Sequence, residues 1–219
     1  MNWKIAVVAR NISGVTGYDV LIRNEGASVR DYLNAINMAI TTLPLQRTRR
    51  RARHCRACDH CCAERAPLTA IDCLLLKKVL EEPDLNTFIN RHTTVTVKGP
   101  VVDITLKQDD EGRCIFLNHK KKTCRVYEAR PFVCQTFICS PASRRALELR
   151  EEVVNKGEDE LVRLWFKTNM VVHQAHNPRP NPVDWPPTPF TNKSCYSSIL
   201  LKDVLSPGLW QKLTRPEKT

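Results

Sequence analysis

The chain has 219 residues, 42% of them hydrophobic and 26% charged, which is ordinary for a soluble globular protein and leaves room for one or two domains with a sizeable core. No apolar run approaches the roughly 20 residues of a membrane span, and the opening MNWKIAVVAR holds only the short stretch IAVVA, less than the about 7–15 residues of a signal-peptide core, so no membrane span and a cytoplasmic location are expected. The formal net charge of +11 predicts a basic surface suited to an acidic partner protein, nucleic acid or an anionic membrane face.

Residues 1–46 contain no cysteine. KIAVVAR and YDVLIRN flank the turn-rich NISGVTG, which predicts a β-hairpin. Ser28 and Asp31 form a capping-box signature. Tyr32, Leu33, Ile36, Ile40 and Leu43 then share one helical face, and Pro44 ends the helix. This lead-in is expected to cover one side of a cysteine-rich unit. Next comes the basic run QRTRRRARH, with Arg47, Arg49, Arg50, Arg51 and Arg53, expected to be solvated. It suits nucleic acid phosphates, an acidic partner or the charge of a neighbouring thiolate site. No aromatic interrupts it, so base stacking finds no support.

A second capping-box signature, Thr69 and Asp72, opens a helix expected to bury Ile71, Leu75 and Val79, with Pro83 as its stop. DLNTFINRH reads as another short helix. The stretch TTVTVKGPVVDITLKQDDEGRCIFL alternates apolar and polar residues, predicting two or three antiparallel strands with Cys114 on the last. Lys120, Lys121 and Lys122 suit an exposed turn. Residues 146–172 read as helical with a break at Gly157. Residues 177–189 are a proline-rich extended segment, and ILLKDVL a final short helix before a charged tail.

Ten cysteines dominate the chemistry. HCRACDHCC supplies Cys55, Cys58, Cys61 and Cys62. Cys114, Cys124, Cys134 and Cys139 form a second batch. Cys73 and Cys195 stand apart and are expected in the core. In a reducing cytosol such thiols are ligands more often than disulfides. Thiolate sulfur selects zinc, copper(I) or iron–sulfur clusters, and four-sulfur ligation suits zinc or a cubane. Metal-bound thiols are deprotonated, which lowers the net charge below the formal count. The spacing is not that of a bacterial ferredoxin, because Arg65 stands where its next cysteine would be. The long gaps of the second batch argue against a simple zinc ribbon. Neighbouring side chains diverge in helix and strand, so one of Cys61 and Cys62 is expected at the main site, the other at a second site or in the core. His54 and His60 read as exposed loop residues, and His173 and His176 lack a ligand partner nearby in sequence. Phosphate-binding glycine loops, GxSxG, HExxH and CxxxCxxC are absent.

The motif YEARP places Pro131 where a helix begins, presenting Cys134 from its first turn. Arg130 could meet the charge of a metal site or pair with Glu128. Tyr127 could donate to a thiolate. Tyr127 and Arg130 are therefore candidate cofactor-binding residues, with simple fold support as the alternative.

The ordered pieces CRACDHCC, PLTAIDC, CIFL and CRVYEARPFVCQTF, over residues 55–137, resemble the YkgJ-type cysteine-cluster proteins, the CxxCxxCC zinc- or iron-chelating family. The resemblance implies that Cys55, Cys58, Cys61, Cys62, Cys114, Cys124 and Cys134 occupy the family's cysteine positions. Cys139 lies just past the pattern. The same signature occurs in flagellin lysine methylases, which are iron–sulfur proteins, and that precedent sets an iron–sulfur cluster ahead of zinc. Residues outside the signature do not resemble that methylase, so a lysine-modifying enzyme is an alternative resting on the signature alone.

The sequence thus predicts an α+β fold, a small cysteine-rich metal-binding domain with short antiparallel strands wrapped by helices. Its expected organisation is a lead-in at 1–46, a metal-binding domain at 47–141 and C-terminal helices at 142–219. The expected function is binding of a four-iron (4Fe-4S) cluster, with a redox or accessory role beside an acidic or redox partner in a larger complex. A structural zinc domain docking protein or nucleic acid through a basic face is the main alternative.

Overall fold

The structure, a computed structural model, describes residues 4–46, 58–99, 101–169 and 186–215. The arginine run at 47–53, His54, Cys55, His173, His176 and the start of the proline-rich segment lie outside the described residues.

Strands β1 (Ile5–Ile12) and β2 (Val15–Ile22) form the expected hairpin, with Ile5 opposite Ile22 and Ile12 opposite Val15. Ser13 and Gly14 both take positive φ, 52° and 82°, the backbone that a two-residue hairpin turn requires. Helix α1 (Val29–Thr42) starts at a complete capping box. The Asp31 amide donates to Ser28 Oγ at 3.2 Å, and the Ser28 amide donates to Asp31 Oδ2 at 2.9 Å. Its buried face carries Tyr32, Leu33, Ile36 and Ala39.

Helix α2 (Ala70–Val79) starts at the second capping box, Thr69 with Asp72. Its buried face is not the one expected. Ile71, Cys73 and Leu76 are buried, Leu75 is half-buried, and Val79 is 56% exposed. The helix is turned because Asp72 itself is drawn into the interior at 1% exposure. Helix α3 (Leu85–His92) follows, capped by Asp84, whose Oδ1 accepts the Thr87 amide at 2.8 Å.

Strands β3 (Thr93–Lys98) and β4 (Val101–Leu106) pair antiparallel. These two strands meet the expectation of two or three, but Cys114 is on neither: it makes one isolated bridge to Gln108. Gly112, at φ 70°, turns the chain tightly after Asp109, whose carboxylate accepts the Glu111 and Arg113 amides. The chain then forms a minimal pair, β5 (Leu117–Asn118) with β6 (Thr123–Cys124). Helix α4 (Phe132–Thr136) is one short turn, and α5 (Arg144–Asn169) is long. Helix α5 passes through Gly157 without a break, correcting the expected interruption. The glycine is there because its helix lies against Thr69. Helices α6 (Leu201–Val204) and α7 (Pro207–Thr214) close the described chain.

The result is the expected α+β class, with three separate two-stranded antiparallel sheets among the described residues, held by helices. Two apolar clusters share α5 as their spine. Ala146, Leu149 and Val153 join Val20, Leu33, Phe132, Tyr196 and Leu213 in the first. Leu161, Val162 and Trp165 join Leu68, Cys73, Leu76, Phe88, Ile104 and Phe116 in the second. At the far side of the first cluster Arg145 Nε donates to Asp19 Oδ1 at 2.9 Å, with both side chains almost fully buried. Asp19 also accepts the Ser143 hydroxyl, and the arginine holds Asp19 below the usual carboxylate range against the effect of burial. Cys73 is in the core as expected. Cys195 is not: it is half-buried beside the hydroxyls of Ser197 and Ser198, because Tyr196 takes the interior place.

Candidate metal centre

Six of the ten cysteines line one cavity of about 40 Å³: Cys58, Cys61, Cys62, Cys114, Cys124 and Cys134. Four stretches of chain bring them there. Cys61 and Cys62 sit in a single tight turn, His60–Ala63, closed by the Cys62 amide donating to Asp59 O at 3.1 Å. Such a turn advances about 120° per residue rather than the half-turn of a strand. Both thiols therefore reach the cavity, where divergence was expected. The Cys114 amide donates to Cys62 O at 2.7 Å, tying the first batch to the second. Arg113 Nη1 donates to Asp59 O at 3.2 Å and Gln108 Nε2 to Ala63 O at 3.3 Å, reinforcing the junction. Cys124 comes from β6 and Cys134 from α4. Ala66, Leu106, Phe116 and Val126 supply the apolar lining.

Cys61 is the hub of this group. Its sulfur accepts from Cys62, and its charge is felt by Cys62, Cys114, Cys124 and Cys134. The hydrogen bond from Cys62, aided by the Arg130 charge, lowers the Cys61 thiol to about 7. Cys62, as the donor, is raised. Burial pushes the Cys114 thiol up to about 11 and raises Cys124 and, most strongly, Cys134. Two amides oppose this: the Phe116 N–H donates to the Cys114 sulfur and the Val126 N–H to that of Cys124.

Arg130 and Tyr127 also line the cavity. The guanidinium lies 3.8 Å from the centre of the Tyr127 ring, and its Nε donates to Tyr127 O at 3.0 Å. Tyr127 is thus the platform that holds Arg130 where its charge reaches Cys61 and Cys124. Cys139 is half-buried past α4 and is not part of the cavity lining. His60 is half-buried rather than exposed, its Nε2 buried and without a hydrogen-bond partner among the described residues.

Behind Cys134 lies a network that sequence reading missed. The Phe132 amide, at the start of α4, donates to Asp72 Oδ1 at 2.8 Å. Tyr196 OH donates to the same oxygen at 2.6 Å, and the Thr69 amide donates to Oδ2 at 3.0 Å. Burial raises the Asp72 carboxyl to about 6 against the pull of these donors. The capping box announced Asp72, but its second set of partners is distant in sequence.

Among the described residues, no three His, Cys, Asp or Glu side chains already stand as a ligand shell. The thiols ring the cavity instead. The donor set nevertheless fits a soft metal or an iron–sulfur cluster. It is sulfur-rich and half-buried, binding would deprotonate it, and amide donors and a guanidinium are in place to receive the resulting negative charge.

Residues 54–159 match the model of one family, CxxCxxCC, whose description is "Putative zinc- or iron-chelating domain". No curated protein and no solved structure matches the chain. The matched segment contains all six cavity cysteines and ends within α5. Signature, cavity and family model thus coincide: residues 54–159, just under half of the chain, are similar to the CxxCxxCC family.

Proposed function

We propose that this chain is an iron–sulfur protein. In this reading thiolates drawn from Cys55, Cys58, Cys61, Cys62, Cys114, Cys124 and Cys134 hold a four-iron cluster, and the chain serves as a redox or accessory component of a larger assembly. The observation that supports it is the convergence of six thiols, from four stretches of chain, on one cavity with a largely apolar remaining wall. Bound there, such a cluster supplies one-electron transfer. The chain's own residues do the rest. Leu106, Phe116 and Val126 limit water. The Phe116 and Val126 amides and the Arg130 guanidinium offset thiolate charge, the kind of contact that sets a cluster's potential. The basic composition suits an acidic redox partner, and free thiols suit the reducing cytoplasm.

The small volume of the cavity favours a second reading, a single zinc ion in a closed thiolate site that stabilises a docking domain. Both readings are tested by metal analysis of anaerobically purified Cys134→Ser and Cys195→Ser proteins. Cys134→Ser is expected to lose its metal and Cys195→Ser to keep it. Full metal content in Cys134→Ser would overturn the assignment of this cavity. Iron with sulfide in Cys195→Ser supports the first reading, and zinc the second.

A further inference from the structure

Cys134 reaches the cavity from α4, a helix of five residues. So short a helix has little stability of its own. What fixes it is Asp72, which accepts the Phe132 amide at 2.8 Å. The acceptor is itself held by Tyr196, whose hydroxyl lies 2.6 Å from Asp72 Oδ1 and 2.6 Å from Thr69 Oγ1. The Tyr196 ring also packs on the Phe132 ring, centroids 5.9 Å apart. Tyr196 and Phe132 are fully buried. Tyr196 belongs to the C-terminal segment, outside the residues 54–159 that make up the metal-chelating domain. A residue from outside that domain therefore grips both ends of the contact that orients the helix bearing Cys134.

We propose that Tyr196 and Asp72 are positioning residues for Cys134, and that docking of the C-terminal segment and binding of metal are one linked equilibrium. The proposal rests on the reading of Cys134 as a metal ligand. Linkage of this kind is reciprocal. A metal that holds Cys134 keeps the Phe132 amide on Asp72 and so retains Tyr196. A docked Tyr196 keeps Cys134 aimed at the cavity and slows metal release. Loss of the tyrosine hydroxyl leaves the buried Asp72 carboxylate one donor short and loosens α4.

The test uses the full chain as purified with its metal, in wild-type, Tyr196→Phe and Cys134→Ser forms. Two quantities are read: the rate of metal release to a chromophoric chelator, and the rate of proteolytic cleavage around residues 190–200 before and after metal removal. Tyr196→Phe is expected to release metal roughly 10–100-fold faster, the usual effect of removing a group that supports a ligand. In the wild type, metal removal should speed cleavage of the C-terminal segment, and in Tyr196→Phe the two rates should converge. A purely structural tyrosine would not abolish that metal dependence. Wild-type release from a folded Tyr196→Phe protein, or cleavage of wild type indifferent to metal, overturns the proposal. Undiminished metal in Cys134→Ser overturns instead the ligand reading beneath it. Should Tyr196→Phe fail to fold, Asp72→Asn, which keeps the side-chain shape, is read by the same two rates.

Discussion

Gly157 lies against Thr69 so closely that a Cβ built on the glycine would stand 2.5 Å from the threonine Cγ2. This contact seats the middle of α5 on the first turn of α2, the turn whose capping box contains Asp72. Gly157→Ala in an ordinary exposed helix would stabilise by about 1 kcal/mol. Here overpacking should reverse the sign, destabilising by about 1–3 kcal/mol. Chemical denaturation of the variant measures this, and a gain in stability would show that the two helices can separate freely.

Asp72 is expected to be a costly polar side chain to remove. Asp72→Ala strips α2 of its capping box and leaves the Thr69 and Phe132 amides and the Tyr196 hydroxyl without their acceptor. Loss of a cap and abandonment of buried donors together suggest a loss of about 3 kcal/mol or more. Denaturant titration gives the value. A loss below about 1 kcal/mol would mean that water or other groups replace the carboxylate.

The pair of Cys61 and Cys62 can be separated by substitution. Cys61 receives a hydrogen bond from Cys62 and is the thiol whose charge every other shifted cavity thiol feels. Cys61→Ser is therefore expected to lose metal, and to lose more of it than Cys62→Ser does. Metal analysis of the two variants, grown and purified together, checks the order.

Glu158 gives the protein a pH signature. Burial, together with the neighbouring Asp103 carboxyl, raises Glu158 from 4.5 to about 7, although the Ile104 amide donates to it at 3.1 Å. A carboxyl raised on folding binds its proton more tightly in the native state. The stability it contributes is complete below about 4.5 and disappears as pH rises through about 7. Glu158→Gln cannot titrate. The stability of wild type minus that of Glu158→Gln should fall between these pH values and level off above them. Taking the difference cancels the pH dependence of metal binding common to both proteins. A difference that rises with pH would contradict the assigned direction.

Local features of this chain were legible and distant ones were not. The hairpin, both capping boxes and the start of α4 are written in adjacent residues, and all appear in the fold. The cysteine spacing led to six residues that line one cavity; of the other two, Cys139 is not in that lining and Cys55 lies outside the described residues. Gly157 looked like a helix break because its reason for being glycine, Thr69, is far away in sequence. Cys114 read as a strand residue because alternation continues through it, yet its amide is used by Cys62 O and no strand forms. The divergence argued for Cys61 and Cys62 assumed helix or strand, and the tight turn at His60–Ala63 is neither. Tyr196 carried no signal at all, since its partners, Asp72 and Thr69, lie on another helix.

The measurement that bears most directly on the central claim is metal and acid-labile sulfide analysis, with a visible spectrum, of one anaerobically purified wild-type sample. A four-iron cluster predicts a brown protein with about four irons and a comparable amount of sulfide per chain, whose broad visible absorption bleaches with dithionite. A colourless protein carrying zinc and no sulfide would contradict the iron–sulfur reading.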